Sequence, residues 1–490
     1  MFLKKNYISW TCFISLFFAW CFLLTLPLTA QERFRRDVPD PDPLPLLNLQ
    51  DIEFFTLTNG LRLTVIRQDK TPVIHLRLMI ADGENSSPTN LPGMATFAAN
   101  MLNRGATSLT SVQIEEAIES MGGNFSSAVY PDFTLFSFSF LEEYLDDALE
   151  ILSKMFLQPT FLKLEIENIK RTMKYDLLQK MTNPEFLAKK ILYQILFREH
   201  PYRNIAFNDD VIKNYDRETL STFFDTYYRP NNTQILLIGN LNLDTATRKV
   251  SDYFNQWQKK DIEKKNVPSP QPNGAIKICF VDLPRANDAT IYLGNILSTE
   301  VKDNVFPFFV FNQVLGGTTN SRLFMNLRES KGFAYWTFSE VEFFKLFGLV
   351  FIRAKVQPES IYSSVIEIVK EIQNTVQNKI PNSEIEQAKS YLIGNFPLTI
   401  NTMDQFALRI SEKIVFNRGD ELWNNYYESL SLVNSDDVFK TVNKTSLLTP
   451  VVVIVGDKEK LLDHLNSFEE VEIYNQNGVL LNKIKEEDSQ

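Results

Sequence analysis

The chain repeats one order of predicted secondary structure in two halves, and this repeat restricts the fold more than any other feature. The first half begins with FFTLTNGLRLTVI, in which Asn59-Gly60 is a strong hairpin signal, and ends on the apolar strand TQILLIGN. The second half ends on a similar strand, PVVVIVGD, and the two glycines Gly239 and Gly456 are 217 positions apart. Between these points each half has strands, a helix, a Gly-Gly loop, further strand sequence and long helices. The repeat predicts an α+β fold of two homologous domains, each a mainly antiparallel sheet covered by helices.

The first 30 residues predict export. Lys4 and Lys5 precede an uncharged, largely apolar run from Tyr7 to about Leu28, and the small residue Ala30 follows at a position suited to cleavage. The run is also long enough to remain as an N-terminal anchor, and only then would the protein attach to a membrane. We expect an exported protein, either periplasmic or associated with the envelope.

The other boundaries follow from composition. A stretch with alternating prolines predicts an extended tether, and a second stretch rich in charge and proline predicts a linker between the repeats. The predicted segments are a signal peptide or anchor at 1–30, a tether at 31–50, an N-terminal domain at 51–260, a linker at 261–274, a C-terminal domain at 275–470 and a tail at 471–490.

Charge and residue types exclude several kinds of site. The net charge of −10 and the absence of a Lys/Arg-rich run argue against binding to nucleic acid. Outside the leader the only cysteine is Cys279, within the apolar run IKICFV, so we expect a buried thiol and no internal disulfide. The histidines, His75, His200 and His464, are scattered and show no paired ligand spacing.

The stretch GMATFAANMLNRG, residues 93–105, predicts an amphipathic helix. Its apolar positions recur at helical spacing and predict a face that packs in the core of the first half. Its opposite face carries Thr96, Ala99, Asn100 and Asn103, which are small or neutral where a solvent-facing helix usually carries Lys or Glu.

Three stretches together resemble the pitrilysin/insulinase family of zinc metallopeptidases, which includes the mitochondrial processing peptidases. These are PGMATFAANMLNRGA, MGGNFSSAVYPDFTLFSFSF and LGGTTNSRLFMNLRESKGFAYWTFS, and the resemblance extends from about Asp51 to Leu465. It implies the same duplicated α+β fold.

Family enzymes bind zinc through H-x-x-E-H on the opening helix, where two His hold the metal and the Glu takes a proton from the bound water. The resemblance places the two His positions at Thr96 and Asn100, the Glu position at Ala99 and a third, carboxylate ligand at Asp176. Thr and Asn are poor zinc ligands and Ala has no proton acceptor. We therefore expect no metal in this chain.

A second set of positions matches the family's two-subunit bacterial members. In those members the subunit without metal supplies an Arg and a Tyr that donate hydrogen bonds to the substrate carbonyl. The matching positions in this sequence are Arg328 and Tyr335. The alternative is a surface ion pair for Arg328 and packing within a sheet for Tyr335. The family's substrate-edge strand falls at Ser126, Ser127, Ala128 and Val129, although the same alternation fits an ordinary half-buried strand.

The resemblance implies an inactive homologue of a zinc metallopeptidase that binds peptide and serves as the non-metal subunit of a heterodimer. Zinc would then belong to a homologous partner, and endopeptidase activity would exist only in that complex. The alternatives are a non-proteolytic structural protein and a peptide-binding or chaperone-like protein, possibly homodimeric.

Overall fold

A computed structural model describes residues 52–207, 209–263, 267, 269–297, 305–345, 347–416 and 425–485. The predicted leader and tether lie outside this range, as do the acidic residues at the end of the predicted tail. Within the described ranges no helix is both long and apolar enough to cross a membrane.

The first half contains a six-stranded sheet in the order β1-β2-β6-β3-β5-β4. Only the pairing of β2 with β6 is parallel. The predicted hairpin joins β1 to β2, with Gly60 at φ +90 and the Asn59 side-chain amide donating to the carbonyl oxygens of Phe254 and Trp257. The strands are β1 (Ile52–Thr56), β2 (Arg62–Arg67), β3 (Val73–Ile80), β4 (Asn124–Val129), β5 (Thr134–Leu141) and β6 (Thr233–Gly239).

The second half contains a seven-stranded sheet in the order β9-β10-β8-β11-β7-β12-β13. Its pairings are antiparallel except where β7 lies between β11 and β12. The last two strands come from the segment predicted as a tail, which instead extends this sheet. The strands are β7 (Lys277–Asp282), β8 (Ala289–Leu297), β9 (Ala334–Phe343), β10 (Gly348–Val356), β11 (Val451–Gly456), β12 (Glu470–Tyr474) and β13 (Leu480–Lys485).

Helices follow the strands in the same order in both halves, which confirms the duplicated α+β fold. Those of the first half are α1 (Met94–Met101), α2 (Ser111–Ser120), α3 (Leu145–Leu157), α4 (Lys163–Met181), α5 (Pro184–Phe197), α6 (Arg217–Tyr227) and α7 (Leu243–Phe254), beside the short helix Asp209–Ile212. Those of the second half are α8 (Phe306–Gly316), α9 (Ile361–Gln377), α10 (Asn382–Asn395), α11 (Met403–Phe416), α12 (Ser435–Val442) and α13 (Lys458–Leu465), beside two shorter helices. The predicted linker contains no helix or strand among its described residues.

Both sheets are apolar on both faces, so each needs cover on both sides. All six residues of β11 are buried, as are most of β3. One face of each sheet packs against helices of its own half. Cys279 is fully buried in β7, which confirms the predicted buried thiol, and burial raises the pKa of this thiol to about 12.

The other face of each sheet is covered by one helix from the opposite half. Helix α5, from the first half, buries Leu187 and Ile191 in a cluster with Tyr292 and Val453 of the second sheet. The equivalent helix of the second half, α11, packs against the first sheet. The two halves therefore exchange equivalent helices.

Polar contacts fix both exchanged helices. Arg77 of β3 donates to the Asp404 carboxylate of α11 at 2.5 Å. Arg353 of β10 donates to the Glu185 carboxylate at the start of α5 at 3.1 Å. Arg77 is 3% exposed whereas the Asp404 side chain is 74% exposed, so the pair joins a buried guanidinium to a carboxylate at the surface.

Candidate functional site

Helix α1 has the two faces predicted from its sequence. Met94, Phe97 and Met101 are at most 1% exposed and pack in the core of the first half. Thr96 and Asn100 lie on the other face and are partly exposed. Because the chain enters the helix at Gly93 with φ +96, a left-handed backbone conformation, glycine is favoured there.

The carboxylate of Glu84 lies over the N-terminus of α1, a contact that the sequence analysis missed. It accepts hydrogen bonds from the Thr96 hydroxyl at 2.9 Å, the Thr96 amide at 3.3 Å, the Gly93 amide and the Ser87 hydroxyl at 2.8 Å. Burial raises the pKa of Glu84, and these four donors oppose that shift. The hydroxyl at the first expected His position is therefore engaged by the chain's own carboxylate.

A cavity of about 840 Å³ brings together four of the ten predicted site residues. Thr96, Asn100 and Asp176 line it, and Val129 at the end of β4 lines it as well. Ala99 lies beneath this surface and is 2% exposed. The second half completes the wall with mainly aromatic and charged side chains: Phe309, Val341, Glu342, Phe343, Phe344, Arg409, Glu412 and Phe416.

A smaller cavity of about 210 Å³ adjoins the first along β4. Ser126 and Ser127 line it, and it shares Asn100 and Asp176 with the larger cavity. Strand β4 is the edge of the first sheet and pairs only with β5 among the described strands. Its residues alternate between exposed and partly buried, with Ala128 exposed, so both predicted features, an edge and a half-buried strand, are present.

Arg328 and Tyr335 lie together on the surface of the second half. Arg328 belongs to a π-helical turn, Met325–Ser330, a rare conformation that is frequent at functional sites. Its Nη1 donates to the backbone carbonyl of Tyr335 at 2.7 Å, and its guanidinium lies 5.2 Å from the ring centre of Phe324. Tyr335 is 46% exposed, so its ring is not packed within the sheet. The surface ion pair of the alternative prediction is present, with Arg328 Nε 3.6 Å from the Glu329 carboxylate.

Tyr335 stands at the opposite end of β9 from the cavity. The strand rise of ~3.4 Å per residue puts it roughly 20 Å from Val341, the first residue of β9 at the cavity wall. Neither Tyr335 nor Arg328 is among the described residues that line the cavity. The carboxylate of Asp288 raises the pKa of Tyr335, and the Lys355 ammonium lies 2.9 Å from that carboxylate.

The residues at the expected metal position do not fit zinc. Thr96 is hydrogen-bonded to Glu84, Ala99 offers no ligand atom, and Asp176 is an exposed carboxylate. The described part of the chain contains no group of three His, Cys, Asp or Glu side chains placed to hold a metal. The described histidines also lie apart: His75 has Nδ1 3.5 Å from Asp404, and His200 is buried among aromatic rings.

The burial of His200 predicts that the folded protein loses stability in acid. Burial lowers its pKa from 6.5 to about 4, so the folded protein resists protonation that the unfolded chain accepts. The stabilisation, up to about 3 kcal/mol, is complete above pH 6.5 and is lost as the pH falls towards 4. We expect His200→Asn to reduce the pH dependence of the free energy of urea unfolding over this range. Asn keeps a hydrogen-bond acceptor for the Tyr202 amide.

The matched control is His464→Asn, at a partly exposed position on α13. An equal flattening by both substitutions would contradict the role of His200.

The chain has a duplicated α+β fold, and its opening helix faces a cavity between the two halves. This is the architecture of a zinc metallopeptidase, but in this chain the helix lacks the metal ligands. Comparison with known proteins agrees. Residues 63–210 match the family "Insulinase (Peptidase family M16)", and residues 214–392 match "Peptidase M16 inactive domain". The chain therefore belongs to the insulinase family of peptidases and their homologues, and Thr96, Ala99 and Asn100 stand where the family's enzymes carry H-x-x-E-H.

Relatives resemble this chain over most of their length. A Helicobacter pylori protein named non-peptidase homolog YmxG is 24% identical over 396 residues, covering 78% of this chain and 88% of the relative. A Bacillus subtilis protein named uncharacterized zinc protease YmxG is 21% identical over 402 residues, covering 81% and 93%.

Solved structures share the fold. The peptidase M16 inactive domain from Pseudomonas fluorescens superposes with a TM-score of 0.76 at 20% identity, covering 83% of this chain and 98% of that one. The periplasmic protease PqqL from Escherichia coli gives 0.70 at 14% identity, covering 86% of this chain and 49% of that one.

Proposed function

We propose that this protein is the exported, non-metal subunit of a heterodimeric peptidase, which binds peptide and supplies Arg328 and Tyr335 to a zinc-bearing homologous partner. The observation that carries the proposal is the separation of two features. The cavity beside Thr96, Asn100 and Asp176 lies at one end of β9, and the Arg328–Tyr335 pair lies exposed at the other.

The separation favours action in trans because the pair is too far along β9 to act on a peptide in its own cavity. A guanidinium has five donors, so Arg328 can hold the Tyr335 carbonyl and still donate to a substrate oxygen. The phenol is a second donor. Two donors on an oxygen that gains negative charge stabilise the transition state of peptide hydrolysis.

Peptide binding is supported by the free edge of β4. An extended peptide that pairs with Ser126–Val129 would lie along both cavities, because Ser127 lines the smaller one and Val129 the larger one. The chamber formed with the partner would admit extended peptides more readily than folded proteins.

A pair of homologous units is supported by the relation to PqqL, since this chain corresponds to 49% of that protein. A separate structure of the first half of PqqL matches 86% of this chain. PqqL is a periplasmic protease, which agrees with the leader predicted here.

The test combines this chain with an H-x-x-E-H-bearing homologue encoded in the same genome. We expect a one-to-one complex by analytical ultracentrifugation, zinc in the homologue alone by elemental analysis, and hydrolysis of a quenched fluorescent peptide only by the complex. In that complex Asn100→Trp, which fills the cavity, should reduce hydrolysis at least about tenfold, while the exposed Glu116→Trp on α2 should not.

Stoichiometric zinc bound to this chain by itself would overturn the proposal. So would the failure of every such homologue to form a complex. Peptide binding by a homodimer without any partner would favour the chaperone-like alternative.

A further inference from the structure

Aromatic side chains from both halves of the chain line the larger cavity. Its volume of about 840 Å³ lies in the range of ~300–1,000 Å³ that is typical of pockets enclosing a ligand. Aromatic rings in such a pocket favour an apolar ligand surface over a polar one. Six of the rings that line this cavity are partly exposed: Tyr130, Phe186 and Phe207 in the first half, and Phe309, Phe343 and Phe416 in the second.

Contacts among the rings hold them in place. Tyr130 stacks on Phe133 with ring centres 4.4 Å apart, and Phe133 meets Phe416 of α11 edge to face at 5.9 Å. Phe309 of α8 and Phe343 of β9 also meet edge to face, at 5.8 Å. A further ring that enters the cavity can make the same stacked and edge-to-face contacts, which stabilise it beyond the area that it buries.

Two ion pairs neutralise four of the charged side chains that line the cavity. Lys189 donates to the Glu342 carboxylate, and Arg409 donates to the Glu412 carboxylate at 3.1 Å. Each pair joins a cation and an anion of the same cavity wall. A charged side chain of a ligand would therefore lose its hydration in the cavity without gaining an uncompensated counter-ion.

The other charged residues of the lining are buried and hydrogen-bonded, or lie at the surface. Asp132 is 4% exposed and accepts hydrogen bonds from the Tyr202 hydroxyl, from a side-chain amide at 3.0 Å and from a backbone amide at 2.8 Å. Glu84 accepts the four hydrogen bonds described above. Asp176 and Lys180 have opposite charges and lie at exposed positions of α4.

The free edge of β4 leads into this aromatic cavity. Val129 is the last residue of β4, Tyr130 follows it directly, and both line the cavity. A peptide that pairs with the edge is extended, and its successive side chains point to opposite sides. Only every second side chain can then point towards the cavity, so a single residue of the peptide can serve as an anchor.

We infer that the larger cavity binds an uncharged aromatic side chain of the peptide between rings of the two halves, and that it selects against Lys and Glu at that position. This inference rests on the proposed function and names the class of peptide. Burial of apolar area supplies affinity, and contacts with the rings favour an aromatic over an aliphatic side chain. The internal pairing of the charges disfavours a charged one.

The experiment measures binding of fluorescein-labelled peptides to the full chain by fluorescence anisotropy, without any partner, because this chain alone provides the aromatic lining. The peptides share a Ser/Thr sequence and differ only at the central residue, which is Phe, Leu, Lys or Glu. The Phe peptide should bind at least about tenfold more tightly than the Lys and Glu peptides, since a buried apolar side chain gains 1.5 kcal/mol or more by about the usual scale. The Leu peptide should lie between them.

Two sets of variants connect this preference to the cavity. Phe309→Ala should weaken binding of the Phe peptide about two- to tenfold. Phe54→Ala should not, because Phe54 is 62% exposed on β1 and is not among the described residues that line the cavity. Glu412→Gln removes the carboxylate that Arg409 contacts and should tighten the Glu peptide about two- to fivefold, whereas Arg409→Gln should tighten the Lys peptide instead. A general loss of structure cannot produce these opposite changes.

The outcomes separate the inference from the proposed function. Equal binding of the Phe, Lys and Glu peptides would overturn the inferred specificity, while a complex with the zinc-bearing homologue would leave the proposed function standing. A Phe preference that none of the three cavity variants changes would also overturn the inference, because the peptide would then bind elsewhere. If the Phe peptide binds as expected and no homologue forms a complex, the proposed function fails and the aromatic specificity of the cavity stands.

Discussion

Arg328→Ala should lower kcat of the peptidase complex by about 10²–10³-fold, the usual cost of removing one preorganised donor from an oxyanion. Tyr335→Phe removes only the phenolic donor and should cause a loss within the same range. In the proposed role both donors act on charge that develops in the transition state, so KM should change less than kcat. Steady-state hydrolysis of a quenched fluorescent peptide by the assembled complex measures both constants.

The matched control is Met325→Ala, at an exposed position of the same π-helical turn. It should retain wild-type kcat. Arg328→Lys keeps the charge but loses the planar fork and should retain only part of the activity. Wild-type kcat in both Arg328→Ala and Tyr335→Phe would exclude action in trans, while complex formation would still define a structural subunit.

Fragments 51–260 and 275–490 should each fail to fold when expressed alone. The first would expose Met79 and Ile238 on the face of its sheet that α11 covers, and would leave the apolar side of α5 in water. The second would lose α5 from the face that includes Val453. Exposed apolar faces of this size lead to aggregation rather than a stable domain.

Co-expression of the two fragments should restore a complex with the thermal transition of the intact chain, since each fragment supplies the other's missing helix. The control is the intact chain with a protease site inserted in the linker 261–274, which should remain one folded unit after cleavage. A cooperative unfolding transition in either fragment alone would contradict the interdependence of the halves.

Local sequence patterns predict the elements whose conformation depends on neighbouring residues in the chain. The turn at Asn59-Gly60 and the two faces of α1 follow from backbone preference and helical period, and both are present. The meeting of Asn100 and Asp176 at one cavity followed from the family resemblance, because these positions are far apart in the chain.

Contacts between residues that are far apart in the chain could not be predicted from the sequence. The apolar sequence of α5 indicates a buried helix, but its periodicity does not say which of two apolar sheets it covers. Glu84 binds α1 from a short 3-10 helix, Glu84–Ser86, nine residues before Gly93, and a solvent-exposed carboxylate would have the same local sequence. The predicted tail contains β13 and most of β12, and this sheet extension depends on the pairing of β12 with β7, almost 200 residues earlier, after which β13 pairs with β12.

The exchange of α5 and α11 also affects how tightly the cavity can bind a flexible peptide. Tyr193 of α5 and Phe416 of α11 both stand in its wall, so folding of the chain already orders side chains from both halves. A peptide that enters loses its own conformational freedom, but little further entropy is lost by the wall. Binding should therefore be governed by the stiffness of the peptide, and conformationally restricted peptides should bind more tightly than flexible ones with the same side chains.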